Sequence, residues 1–307
     1  MNTFIQLTLN GLTEGSTYAL IALGYTLVYG VLKLLNFAHG DVFMVGSFIG
    51  FGVLKITGGP SGNALPVWLL LTVMVLAAMV GCAVLGVIIE RFAYRPLRDA
   101  PRIAPLISAL GVSFMLSSSF QLMFGAQQFD LGIFNLDGGS LFFRGLTLDG
   151  VHIPLIRIIT IVSAFVLMVV LWLLVTRTRT GKAMRATSFD REAAAMMGID
   201  IDRVIVFTFV IGSALAGAAG VMYALRVPTA ASIGFLIGLK GFTAAVIGGI
   251  GSIPGAMAGG LILGFAEAYT QGYLTTRWSD LVIFSVLIVF MLFNSSGLLG
   301  SAGLKKV

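Results

Sequence analysis

Nine apolar runs divide the chain, at about 11–32, 38–57, 65–89, 103–124, 156–176, 204–226, 235–251, 254–273 and 281–299. A helix needs roughly 20 mostly apolar residues to cross the hydrocarbon core of a bilayer. Most of the runs have that length. Only 10% of the 307 residues are charged, where a soluble domain carries about 25%, so there is too little polar surface for a water-soluble fold. The sequence predicts an all-α polytopic membrane protein of eight or nine transmembrane helices, a single domain over 1–307. The seventh run is the shortest and the richest in glycine, and reads either as a full crossing or as a re-entrant or broken element.

Orientation follows from basic residues in short loops. Arg91, Arg95, Arg98 and Arg102 lie between runs three and four. Arg177, Arg179, Lys182, Arg185, Arg191 and Arg203 fill the next long loop on that side, and Lys305 and Lys306 end the chain. Residues 125–155 instead carry Asp130, Asp137 and Asp149 against Arg144. The map this predicts has the N-terminus outside and 125–155 outside as a small hairpin or ordered loop. The loop 177–203 and the C-terminus are inside. The net charge of +6 then reports these inner loops and not a nucleic-acid partner. The N-terminal MNTFIQLTLNG has neither a basic segment nor a cleavage site, so the first span is expected to stay as an anchor.

Spans one to four and six to nine form two sets of four, with span five between them. An odd connector inverts the second set relative to the first, so an inverted repeat with halves 1–125 and 204–307 is expected. Such halves commonly enclose a transport pathway near the midplane.

Two places interrupt the apolar pattern. Leu35–Asp41, LNFAHGD, brings Asn36, His39 and Asp41 to a span end. It reads either as a turn capped by Asn36 or Asp41, or as the start of a half-helix aiming backbone N–H groups at a ligand. Gly234–Gly260 is glycine-rich, which allows close helix packing or a broken helix, and Ile253-Pro254 ends one element and opens the next. Ionisable groups inside spans are costly and point to function by default. Glu14 reads as solvated or capping and Lys240 as snorkelling or functional. Glu267, deepest in its span, reads as paired or functional. Asn36, His39, Lys240 and Glu267 are the candidate pathway residues.

The segment Arg177–Arg203, RTRTGKAMRATSFDREAAAMMGIDIDR, is the longest strongly charged island. Thr187 followed by Asp190 fits a capping box, and Gly198 suits a left-handed C-terminal residue. Between them Phe189, Ala193, Met196 and Met197 fall on one helical face. So short a helix is marginal alone, so a partner is expected to cover that face.

Several chemistries are excluded. Two histidines, His39 and His152, on opposite sides of the map, and one cysteine, Cys82, make no transition-metal centre or intramolecular disulfide. No G-x-S-x-G occurs. Thr180-Gly181-Lys182-Ala183 is the nearest approach to a phosphate-binding loop, and it lacks the first glycine and the hydroxyl. No cofactor or catalytic residue is expected, and energy for active transport would have to enter from another protein or an ion gradient.

Glu192–Gly198, EAAAMMG, resembles the E-A-A-x-x-x-G core of the cytoplasmic coupling loop in permease subunits of ATP-binding cassette importers. The downstream I-x-L-P of the longer form is replaced here by Phe207-Thr208-Phe209-Val210. A wider resemblance covers nearly the whole chain. Gly15–Leu20 (GSTYAL), Gly24–Gly30 (GYTLVYG), Asn36–Gly40 (NFAHG), Glu90-Arg91 with Tyr94-Arg95-Pro96, and Phe242–Val246 with Gly248–Ala256 look like the LivH-type permease family of bacterial branched-chain amino acid importers. The resemblance implies an inner-membrane assembly with a paralogous LivM-type permease, two ATPase subunits and a periplasmic amino-acid-binding protein. It also implies a leucine, isoleucine, valine or related substrate, in a family that includes importers of urea and short amides. Docking of the ATPase would then fall on Thr187, Phe189, Asp190, Glu192, Ala193, Ala194, Met196, Met197 and Gly198. The competing reading is an ion-coupled transporter or facilitator acting alone, which the thin supply of buried carboxylates disfavours.

Overall fold

The computed structural model describes residues 2–57, 66–98, 100–101, 103–131, 145–148, 151–294 and 296–300. The helices in chain order are α1 (Asn2–Leu32), α2 (His39–Ile56), α3 (Val67–Ile89), α4 (Ile103–Phe124), α5 (Leu155–Arg177), α6 (Arg179–Phe189), α7 (Arg191–Met196), α8 (Ile201–Ala224), α9 (Ile233–Gly248), α10 (Ile253–Tyr273) and α11 (Thr276–Phe293). A π turn over Glu90–Tyr94 and a 3-10 turn over Arg95–Leu97 extend α3. Two four-residue strands, β1 (Gly145–Leu148) and β2 (Val151–Pro154), pair antiparallel before α5, which is the hairpin expected in 125–155. Asp137, Arg144, Asp149, Arg102, Lys305 and Lys306 lie outside the described residues.

Seven of these helices are long and apolar enough to cross a membrane. The protein is polytopic and all-α, with the hairpin as a small addition. Burial divides the helices into two classes. α1, α2 and α8 are mostly enclosed, whereas α3, α4, α5 and α11 turn most of their surface outward. That outer surface is apolar, with Leu76, Val80, Val84, Val162, Val166 and Ile288 exposed, as a surface solvated by lipid requires. α1 runs against α10 along most of its length, and glycine sets the spacing. A Cβ at Gly264 would strike the backbone of Gly15, and one at Gly260 would strike Ala19. Without a hydrophobic drive between helices in lipid, close backbone approach supplies the packing energy.

Helix ends follow local chemistry. α1 stops where Lys33 adopts φ 57°. Pro66 and Pro154 precede α3 and α5. Ser252 caps α10, its Oγ accepting from the Gly255 amide at 3.2 Å, with Pro254 in the first turn.

The last span departs from expectation. α11 begins at Thr276, not near 281, and ends at Phe293, not 299. The next residues turn at Gly297, φ 80°, and the Leu298 and Leu299 amides donate to the Ile247 and Gly248 carbonyls at 2.9 and 3.0 Å. Those carbonyls are among the last four of α9, which have no partner inside their own helix. The apolar run therefore ends as a cap on a neighbouring helix and not as a further turn of its own.

Candidate functional site

The charged island folds as two helices, not one. Thr178 caps α6 through its side chain, accepting from the Gly181 amide at 3.0 Å. Thr187, expected to begin the helix, lies inside α6 instead. It is buried, and its hydroxyl donates to the Ala183 carbonyl at 2.9 Å. The cap of the second helix is Asp190, whose Oδ1 accepts from the Glu192 and Ala193 amides at 2.9 and 3.0 Å. A Thr three residues before an acid matched the capping-box pattern. The hydroxyl is consumed by its own helix, however, and the extended backbone falls at Asp190, φ −150°. Gly198 takes φ 80°, the left-handed C-terminal conformation expected of it.

The two helices form a module with an exposed apolar tip. Phe189, Met196 and Met197 are 89%, 82% and 82% exposed. Ala193 and Glu192 are also exposed, and Ala194 is buried. The module is fastened to the bundle at definite points. The Arg191 guanidinium donates to the Val31 carbonyl at the end of α1, at 2.9 and 3.3 Å. Burial, and after it the nearby Arg98 guanidinium, lower the Arg191 pKa from the ordinary arginine value. Arg185 donates to the Val175 carbonyl of α5. Beside the module, Arg98 bridges Glu90 and Asp202 while Arg95 pairs with Asp202 at 2.6 Å. These pairs tie the end of α3 to the start of α8.

From Val31 the chain leads directly to the first polar break. α2 and α9 have 18 and 16 residues, or about 27 and 24 Å at 1.5 Å per residue; α2 is at the lower limit for a span and α9 falls below it. Each is entered from a non-helical stretch, 33–38 and 225–232. Their first turns cross at glycines. A Cβ on Gly40 would strike the Gly234 carbonyl oxygen, and one on Gly238 would lie 2.7 Å from the Gly40 Cα. Asp41 is buried beside Gly234. One of its oxygens accepts from Ser113 of α4, and Oδ1 has no hydrogen-bond partner among the described residues. A carboxylate here faces the positive ends of two helices at once.

Asn36 and His39 flank this crossing and are buried. Neither Asn36 nor Asp41 is the cap of α2; Ala38 holds that position and offers no side chain. Tyr94 donates to the Leu35 carbonyl and to Asn36 Oδ1, both at 3.2 Å. The His39 ring packs edge-on against Tyr25, centroids 4.7 Å apart.

Lys240 and Glu267, far apart in sequence, form a buried ion pair at 2.8 Å. Glu267 also accepts from Tyr18 of α1 at 2.6 Å, Gln271 at 3.1 Å and Ser279 of α11 at 3.2 Å. Lys240 makes a second pair, with Asp280 of α11 at 2.8 Å. Snorkelling does not describe this lysine, since its ammonium is held by two carboxylates. Glu14, read as solvated or capping, is paired with Arg226 at 2.7 Å, a guanidinium that also reaches Thr17. Sequence reasoning missed Asp280 because it was placed in a loop before the ninth run. It missed Arg226 because a basic residue at a span end needs no explanation. Tyr18 carried no signal, because its partner lies 249 residues away.

A bundle of apolar helices with a peripheral polar module and two short helices crossing at its centre defines a membrane transport subunit. The family described as branched-chain amino acid transport system / permease component matches residues 7–291, and the chain belongs to it. The chain is 42% identical over 305 residues to the high-affinity branched-chain amino acid transport system permease protein BraD of Pseudomonas aeruginosa, covering 99% of this chain and 98% of that one. It is 42% identical over 311 residues to the corresponding LivH protein of Escherichia coli K12, with the same coverage. A probable LivH of Methanocaldococcus jannaschii is 29% identical over 292 residues, covering 94% of this chain and 88% of that one.

Proposed function

We propose that this chain is the membrane-spanning subunit of an ATP-driven importer for branched-chain or related small amino acids in the bacterial inner membrane. The observation that carries the reading is the apolar tip Phe189–Met196–Met197. A soluble module at a membrane surface does not keep three large apolar side chains in water unless a partner covers them. In this reading an ATPase subunit receives the tip in a groove, with a second subunit serving a LivM-type permease partner and a periplasmic binding protein delivering substrate. The basic residues around 177–203 favour the cytoplasm for this module, with the N-terminus and the hairpin outside. The relatives transport branched-chain amino acids by their names, which sets the substrate class.

The chain's own residues supply the transmission. ATPase closure moves α6 and α7 as a block, because Asp190 and Thr178 cap them and Arg185 fastens them to α5. The Arg191–Val31 contact passes that motion to the end of α1. The segment 33–38, held by Tyr94, passes it to α2 and the glycine crossing with α9. Rigid elements that move against one another about a close crossing suit alternation between outward and inward states. α2 and α9 occupy the same place in the two sets of four spans, which supports the inverted repeat.

Reconstitution tests the reading. Liposomes holding this chain, a second permease, the ATPases and the binding protein should accumulate leucine only with ATP. Accumulation by this chain alone on a sodium or proton gradient would replace it with the secondary-transporter reading.

A further inference from the structure

The Lys240–Glu267–Asp280 junction is unevenly satisfied. Glu267 is saturated, holding Lys240, Tyr18, Gln271 and Ser279 from four helices, and is 4% exposed. Lys240 is 5% exposed. The Asp280 side chain is half exposed, at 50%, and its carboxylate pairs with the same ammonium at 2.8 Å. If Asp280 swings away, Lys240 remains neutralised by Glu267, so no charge is orphaned in the membrane. Breaking a buried pair is costly when it strands a charge, and this arrangement avoids that cost.

A molecule carrying both a cation and an anion on adjacent atoms can enter such a pair without changing the local charge. Its ammonium replaces Lys240 at Asp280, while its carboxylate takes the Lys240 donors that Asp280 releases. Leu236, exposed and one helical turn before Lys240, shares its face of α9 on the side toward which the lysine stem leans. It offers an apolar wall for an aliphatic side chain. The junction lies toward the Tyr273 end of α10, away from the α6–α7 module, because α10 starts beside the end of α1 and runs back along it.

We propose that Asp280 and Lys240 form a docking subsite for the backbone ammonium and carboxylate of a zwitterionic amino acid, closed on itself when empty. This rests on the amino-acid reading of the function, which is checked separately below.

The test uses the assembled permease–ATPase complex in nanodiscs without binding protein. Equilibrium dialysis would measure retention of L-leucine, of 4-methylpentanoate, which lacks the ammonium, and of 3-methylbutylamine, which lacks the carboxylate. The intact complex should retain leucine at least about tenfold better than either analogue, the value of one charge-assisted contact. In Asp280→Asn the leucine advantage over 4-methylpentanoate should vanish, while 4-methylpentanoate retention is kept or rises, because the aspartate no longer competes for the Lys240 ammonium. Equal losses for both ligands would mark a purely structural role and overturn the proposal, as would an unchanged leucine advantage. Absence of leucine retention by the intact complex would also overturn it. ATP-driven leucine uptake by the same complex moved into liposomes, once binding protein is added, shows whether the amino-acid reading itself stands.

Discussion

The Arg191 guanidinium donates to the Val31 carbonyl across 160 residues of sequence. It places a module exposed at the edge of the molecule in direct contact with the last turn of its most buried helix. That carbonyl belongs to the end of α1, where the helix has no internal acceptor use for it, so the arginine satisfies a helix terminus and links two elements with one side chain.

Arg191→Ala should therefore separate motion of the module from motion of the spans. The local cost is modest, about 1–2 kcal/mol for a half-exposed charge-assisted bond, so the subunit stays folded and keeps its ATPase partners. Uptake in reconstituted liposomes should fall about tenfold while ATP hydrolysis persists. Arg191→Lys, which offers a single donor group in place of a fork, should fall between the two. Equal uptake in Arg191→Ala and the parent would remove this contact from the transmission path.

Gly198 needs its conformation and not space. It sits at φ 80° with nothing near the position of a Cβ. Gly198→Val should strain the turn by about 1–3 kcal/mol and reduce uptake, whereas Gly198→Asn, a residue that tolerates the left-handed region, should retain most of it. A loss in Asn as large as in Val would mean that the site excludes bulk through a partner.

The exposed tip is tested by charge. Phe189→Asp with Met197→Asp should leave the subunit in the membrane with an unchanged melting temperature and abolish co-purification of the ATPase. Surface substitutions away from packed features stay within about 0.5 kcal/mol, so a large drop in melting temperature would show that the tip packs within this chain.

The buried pair is tested by a double-mutant cycle. Glu267→Gln strands part of the Lys240 charge and should destabilise by about 3–5 kcal/mol, read as thermal unfolding in detergent. The combination Lys240→Met with Glu267→Leu should cost less than the sum of its single changes, since both charges leave together. Additive losses would show that the two residues act independently.

Much of this architecture was legible in the sequence because lipid imposes a simple rule. A run of about 20 apolar residues must satisfy its own backbone, so 103–124 and 156–176 match α4 and α5 closely. Gly198 was legible for a similarly local reason, since a helix end prefers left-handed glycine. Thr187 was misread because a capping pattern does not say whether the hydroxyl is already used one turn back. The final run was misread because its end is set by unsatisfied carbonyls of α9, some 50 residues earlier.

The sequence by itself determined that this chain lives in a membrane and where most of its spans lie, and it singled out one charged loop as the candidate contact for a partner. It did so through hydropathy, charge and local backbone preference, all of which act over one or two turns. Only the tertiary structure decided that Lys240, Glu267, Tyr18 and Asp280 share one junction, and that Gly40 meets Gly234 and Gly238. Those relationships arise because buried charges must find counter-charges wherever the fold brings them, and because backbones approach closest where two distant glycines coincide.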